Sequence, residues 1–304
     1  MGKISEGRYR DPGGGPALTI VAVPSDQASA QPVALRPASP RAVGLLRVRA
    51  KSDGAGGSRI EGLRQDGSLK ALFPRAVTHG PLEAVFLNTA GGLTGGDRMQ
   101  IRAEVGPGAH LIVSSQAAER AYRAQPGPSA RVDLTLTVED GGRLDWLPQE
   151  TIVFEGAALS RRMSLDLAAG GRALIVEPLI LGRMAMGETV HDAQIRDRWE
   201  IRREGRLVFA DALNLSGDLS AVMSLTGTGG GARAMAALVY AGPDAASLLE
   251  PLRALLPPTA GASLVREGIV FARFLAEDGF YLRRDLIPAI ERLTGCPVPK
   301  VWRL

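Results

Sequence analysis

The chain is poor in the residues that most often carry chemistry. It has one cysteine, three histidines and, among 36 basic residues, only four lysines. The single thiol, Cys296, excludes an intrachain disulfide framework or a cluster of thiolate ligands and fits a reducing compartment. His79, His110 and His191 lie far apart, and none has a second histidine at ligand spacing, which argues against a permanent zinc site. No serine stands in a Gly-x-Ser-x-Gly elbow, and Cys296 sits between Gly295 and Pro297 with no histidine near it in sequence, so nucleophilic catalysis has no visible support. Aromatics are 5% of the residues, too few for a basic groove with interleaved stacking side chains. No apolar run approaches the roughly 20 residues of a membrane span. The run Ala17 to Val23 follows Pro-Gly-rich sequence and is stopped by Pro24, unlike a secretory leader. A cytoplasmic protein with neither a nucleic-acid nor a membrane partner is expected.

What is present is a hydrophobic fraction of 45%, enough for a substantial core in one large domain or two. The net charge of +4 comes almost wholly from arginine, and the arginines alternate with acids along most strand-like segments. Residues 1–42 combine Gly13-Gly14-Gly15-Pro16 with prolines 24, 32, 37 and 40, a composition expected of a flexible extension. Residues 43–304 are expected to form a single β-rich domain. Alternating apolar and polar residues predict strands with one wet face at Val43 to Val48, Met99 to Val105, Val132 to Val138, Met163 to Leu167 and Ile195 to Ile201.

Strand, glycine turn and strand recur three times: around Gly106-Pro107-Gly108, around Gly141-Gly142 and around Gly170-Gly171. The spacing of about 30 residues suits stacked supersecondary units, each covering the apolar face of the one before. The expected fold is therefore mainly β: an elongated, β-helix-like stack of strands with two or three short helices. Three ordinary hairpins in a sandwich would give the same pattern. Helices are expected at Gln116 to Arg123, Asp244 to Leu256 and Asp285 to Leu293.

The most distinctive segment is Asn88-Thr89-Ala90-Gly91-Gly92-Leu93-Thr94-Gly95-Gly96-Asp97-Arg98. Bare backbone in such a loop can cradle an anion. No Gly-Lys-Ser/Thr follows, however, and the next segment reads as a strand, so no helix N-terminus stands behind the loop. A structural turn in which Asp97 bonds the local backbone is favoured. Two acids stand in apolar surroundings: Glu150 before Ile152-Val153-Phe154, and Glu177 between Leu174-Ile175-Val176 and Leu179-Ile180-Leu181. A carboxylate there must face water, a partner, a polar channel or an arginine, because burying it unpaired costs several kcal/mol.

Taken together, these segments resemble the UreD (UreH) family of urease accessory proteins. The Gly-rich segment is similar to that family's Asn-x-x-Gly-Gly-x-x-x-Gly-Asp core. Ala117-Ala118-Glu119-Arg120-Ala121-Tyr122-Arg123 follows in order, with Arg120 where lysine is typical. Leu144 to Phe154 and Leu181-Gly182-Arg183-Met184-Ala185-Met186-Gly187-Glu188 resemble further family motifs, and Pro299-Lys300-Val301-Trp302-Arg303 the closing one. The resemblance spans residues 43–304. It implies a non-enzymatic maturation factor with an elongated β scaffold that binds UreF, through it the GTPase UreG, and apo-urease, and that delivers nickel to the urease active site through an internal polar channel. It implies no tightly bound cofactor, only transient Ni²⁺. Asn88, Gly91, Gly92, Gly95, Gly96, Asp97, Arg98, Gln149, Arg183 and Trp302 are its motif or docking residues here. Asp97, Glu150, Glu177, Glu188 and His110 are the expected polar positions along a nickel route, since oxygen ligands hold Ni²⁺ exchangeably. The alternatives are a β scaffold or binding protein unrelated to urease, or an anion-binding enzyme using the Gly-rich loop.

Overall fold

The computed structural model describes residues 40–75 and 80–303. The expected extension therefore lies outside the described residues up to position 39, as does His79. The first strands are β1 (Val43–Ser52), β2 (Ser58–Gly67), β3 (Leu69–Leu72), β4 (Leu82–Asn88), β5 (Arg98–Val105) and β6 (His110–Ser115). Then come β7 (Glu119–Ala121), β8 (Ala130–Val138), β9 (Arg143–Leu147), β10 (Thr151–Val153), β11 (Ala158–Leu167) and β12 (Arg172–Leu181). The last part holds β13 (Ala193–Arg203), β14 (Arg206–Gly217), α1 (Leu219–Ser224), β15 (Ala234–Ala241), α2 (Ala245–Arg253), β16 (Ala260–Arg266), β17 (Ile269–Ala276) and α3 (Gly279–Thr294).

Two sheets face each other. The first has the order β14-β13-β11-β8-β5-β1-β2, and the second β16-β17-β15-β12-β9-β6-β4-β3. From β4 onward the chain passes from one sheet to the other and back, so β5, β8, β11 and β13 lie parallel in the first and β4, β6, β9 and β12 in the second. This is a β-solenoid. The sandwich of hairpins is ruled out because the strands flanking each glycine turn, such as β5 and β6, lie in different sheets.

Register explains why the alternation works. Leu46, Ile101, Leu134, Met163 and Trp199 stand side by side across β1, β5, β8, β11 and β13, and Val48, Ala103, Leu136, Leu165 and Ile201 form the next row. Each inward side chain packs on its counterpart one coil away, about 4.8 Å distant. The five strands read from alternation all belong to this sheet, which has one face that no helix covers among the described residues. The second sheet is covered on both sides: α2, α3 and the turn Lys300–Arg303 bury its outer face over Leu174, Val176, Leu238, Tyr240 and Phe274. Hence β12, with the sequence RALIVEPLIL, is apolar almost throughout.

The turns on one side are short and keep the ladder going. Gly106 N–H donates to Ala50 O, Glu139 N–H to Val105 O and Ala168 N–H to Val138 O, each at 2.9 Å. On the opposite side the loops are wide and stack on one another. There the expected helix Gln116 to Arg123 is corrected: Glu119–Ala121 is β7, parallel to β10. The backbone of this segment bonds to adjacent coils, with Leu93 N–H donating to Arg120 O at 2.7 Å and Tyr122 N–H to Leu93 O at 2.8 Å. An eight-residue helix without a packed face cannot compete with that. The other two expected helices are present as α2 and α3, the latter starting earlier because Asp278 caps it by accepting from Tyr281 N–H at 2.9 Å. Helix α1 was not foreseen. Among the described residues no helix is long and apolar enough to cross a membrane.

The Gly-rich segment is the wide loop between β4 and β5. Gly92 has φ 152°, and a Cβ there would lie 2.3 Å from the Tyr122 ring of the next loop; Gly91, at φ 77°, has open space around it. Gly92→Ala should therefore destabilise the fold by about 2–3 kcal/mol in urea unfolding, against about 1 kcal/mol for Gly91→Ala. Equal effects would show that backbone strain, and not the Tyr122 contact, requires glycine.

Candidate functional site between the two sheets

One row nearer the wide loops, the inward positions of the first sheet run Gly44, Met99, Val132, Arg161 and Asp197. The matching positions on the second sheet include Phe86, Ser115, Glu177, Ala237 and Arg273. The layer is thus apolar in the early coils and charged in the late ones. Arg161 bridges the sheets: its guanidinium pairs with Glu177 of β12 and, at 2.5 Å, with Asp197 of β13. Two indoles complete the shell, Trp146 Nε1–H donating to Glu177 at 2.7 Å and Trp199 Nε1–H to Asp197 at 3.1 Å. Beyond them Arg273 donates to Asp211 at 2.6 Å. Arg161 Nε is buried and has no hydrogen-bond partner among the described residues.

A cavity of about 310 Å³ lies on the early-coil side of this bridge. Its walls are mainly apolar, with Phe86 and Trp146 stacked at 5.5 Å, and its polar groups include Asn88, Ser115, Glu119, Gln149, Arg161 and Glu177. It reaches the surface loops at Gly91 and Arg120, both exposed. A second cavity, of about 20 Å³, adjoins Asp197, Asp211 and Arg273, and Arg161 and Glu177 stand in the walls of both. One guanidinium serving two carboxylates leaves the group short of positive charge. Burial pushes the Glu177 carboxyl up to about 7, opposed by Arg161 and reinforced by Asp197. Glu119 is also raised by burial, against a hydrogen bond from Asn88 Nδ2–H at 3.3 Å.

Of the five acids and imidazoles expected along a nickel route, the cavity brings in only Glu177. Asp97 closes the Gly-rich turn, accepting from Ala42 N–H and Thr94 N–H at 2.8 Å each, which is the structural role favoured from its sequence context. Glu150 is held by Arg283 at 2.7 and 2.8 Å, and Arg283 also donates to Gln149 at 2.6 Å and to the Trp302 carbonyl at 3.2 Å. With Trp302 Nε1–H donating to Leu147 O at 2.9 Å, this group fastens the chain's last turn to the second sheet. Glu188 pairs with Arg183 at 2.7 Å, and that guanidinium, lying 4.3 Å from the Phe154 ring centre, holds its carboxyl down to about 2. His110 Nε2 lies 2.7 Å from Asp145, away from both cavities. Arg98 is exposed at the start of β5. Among the described residues no three His, Cys, Asp or Glu side chains are grouped to hold a metal ion.

Arg161, Asp197, Glu119 and Asp211 were missed. The signal for two of them is in the sequence: Asp197 occupies the inward phase between Ile195 and Trp199, and of the adjacent pair Arg161 and Arg162 one has to point inward.

This fold and interior define a β-solenoid protein with a charged layer enclosed between its two sheets. Comparison with known proteins specifies the family. Residues 42–303 match the family described as UreD urease accessory protein. The chain is 48% identical over 247 residues to the urease accessory protein UreD of Ruegeria pomeroyi, covering 81% of this chain and 96% of that one. It is 44% identical over 265 residues to the Roseobacter denitrificans protein of the same name, covering 87% and 96%, and 46% over 250 residues to that of Rhizobium leguminosarum bv. viciae, covering 82% and 91%. The chain belongs to the UreD family of urease accessory proteins, which are maturation factors and not enzymes.

The bridge has a measurable signature. Arg161→Met leaves two buried carboxylates unpaired and should cost about 3–5 kcal/mol in urea unfolding near neutral pH, less in acid where Glu177 can take up a proton. In the wild type the folded state keeps the Glu177 proton from the usual 4.5 up to about 7, so this residue's contribution to stability falls as pH rises through that window. Glu177→Gln should flatten the fall, and an unchanged pH profile would contradict the raised carboxyl.

Proposed function

We propose that this chain is a cytoplasmic scaffold that binds UreF, through it UreG, and apo-urease, and that Ni²⁺ passes to urease through the solenoid interior. The observation that carries the reading is the pair of cavities that share Arg161 and Glu177, with Asp197 in the wall of the smaller, which puts carboxylate oxygens between the two sheets. The family's role in urease maturation gives that interior a purpose. Glu119 in the wall of the larger cavity, Glu177 at the bridge, and Asp197 and Asp211 beyond it supply single carboxylates in succession. Isolated oxygen donors hold a borderline cation weakly enough to release it. Glu177, with its raised carboxyl, can exchange a proton for the cation.

The anion-binding reading of the Gly-rich loop has less support. Leu93 N–H is used on Arg120 O, Thr94 N–H on Asp97 and Asp97 N–H on Thr94 O. Glu150 and Asp97 serve the fold in this reading and are removed from the route.

The double variant Glu177→Gln, Asp197→Asn keeps the volume of the bridge and tests the route. Co-expressed with the urease subunits and accessory proteins at limiting nickel, it should yield urease with about tenfold lower activity and nickel content, while UreF and apo-urease co-purify with it as with the wild type. Full activation would reject the interior route; lost co-purification of the wild-type chain would reject the scaffold role.

A further inference from the structure

The outer face of the first sheet has no helix packed on it among the described residues. Alternation sends every second residue of β1, β5, β8, β11 and β13 to this face, and stacking then sets those residues side by side. The outward positions carry ten basic side chains against four acidic ones. The excess of six is larger than the net charge of the whole chain, +4. Arginines that are dispersed and interleaved with acids in the sequence are therefore gathered on one surface by the winding.

The four acids do not neutralise it. Glu104 is taken by Arg47 at 2.8 Å, Asp133 by Arg131 at 2.6 Å, and Glu200 by Arg198 and Arg202 at 2.8 and 2.7 Å, while the fourth, Asp166, is exposed. From outside these strands Glu61 and Glu139 engage Arg49, and Glu61 also Lys51. Arg98, Arg102, Arg162 and Arg196 have no ion-pair or hydrogen-bond partner among the described residues, and all four are exposed. A depression of about 470 Å³ opens between β8, β11 and β13, with Arg131, Arg162 and Arg198 in its walls. In register, Arg162 lies between Asp133, already engaged by Arg131, and Arg198, already engaged by Glu200. Its guanidinium fork has no partner among the described residues, and such forks match carboxylates two bonds at a time.

We propose that this face docks a carboxylate-rich surface of a protein partner. The observations favour protein over nucleic acid. The outward positions of these five strands carry no aromatic side chain to stack on a base, and their fixed acids would meet phosphates of the same sign. A partner of mixed charge, mainly acidic, satisfies both signs. The inference is independent of any route through the interior.

The test uses the full chain and the triple variant Arg102→Glu, Arg162→Glu, Arg196→Glu, with the corresponding triple Gln variant as a second probe. Urea midpoints check that each folds; the sites are exposed, so they should stay near the wild type. Binding to labelled poly-L-glutamate, to apo-urease, to UreF and to a short DNA duplex is measured at about 50 and about 300 mM NaCl. The wild type should bind polyglutamate and at least one of the two proteins with an affinity that falls with salt. The Glu variant should bind both about tenfold or more weakly, with the Gln variant between. The proposal is overturned if the wild type ignores polyglutamate, if neither protein partner is affected by the charge reversal, or if the loss is confined to DNA.

Discussion

The structure depends on the parallel ladder that holds one coil on the next. Each residue of an inner strand pairs its backbone with the corresponding residue of the coils before and after it, so a side chain's neighbours are its own counterparts about 30 residues away. A slip of one residue would turn the inward apolar side chains outward and the outward arginines inward, which is why the register is so strongly specified. The short glycine turns keep the ladder unbroken from one sheet to the other. The wide loops add a further set of parallel pairings through β7, β10 and β12.

Within that frame, polarity at an inward position is costly, and around Arg161 it is met by ion pairs within and between the sheets. Arg161, Glu177 and Asp197 come from three strands of two sheets; each has at least one charged partner, and the indoles of Trp146 and Trp199 donate to the two carboxylates. Replacing one member strands the others, so the group contributes more to holding the two sheets at one separation than to net stability. The same arrangement keeps space open on both sides of the bridge. Glu150 shows a different use of a buried acid: paired with Arg283 and close to Trp302, it fastens the chain's last turn over the outer face of the second sheet.

Much of the fold was legible because two-residue alternation is a strong signal wherever one face is wet. All five strands read that way fall in the first sheet, and the glycine turns mark where the chain crosses to the second. The loop from Gln116 to Arg123 was misread as a helix because its stability comes from the loops stacked against it, and nothing in its own eight residues records them. In the candidate site Glu177 stood out, since an acid in an apolar run has to be accounted for. Asp97 and Glu150 stood out equally and turned out to hold a turn and a chain end. Arg161 and Asp197 did not stand out, because in a strand with one wet face a charged residue raises no question until its phase is counted.

The sequence by itself determined the turn positions, the division into inward and outward residues and the membership in the UreD family, all of which follow from short-range pattern and motif, while the winding into coils, and not hairpins, was decided by the tertiary structure. Only the tertiary structure decided which acids share the interior with Arg161, and that the dispersed arginines of five strands form one basic face. The physical reason is common to both. Alternation fixes the side on which a residue projects, but its neighbours across the ladder come from other coils, and the register of stacking alone selects them.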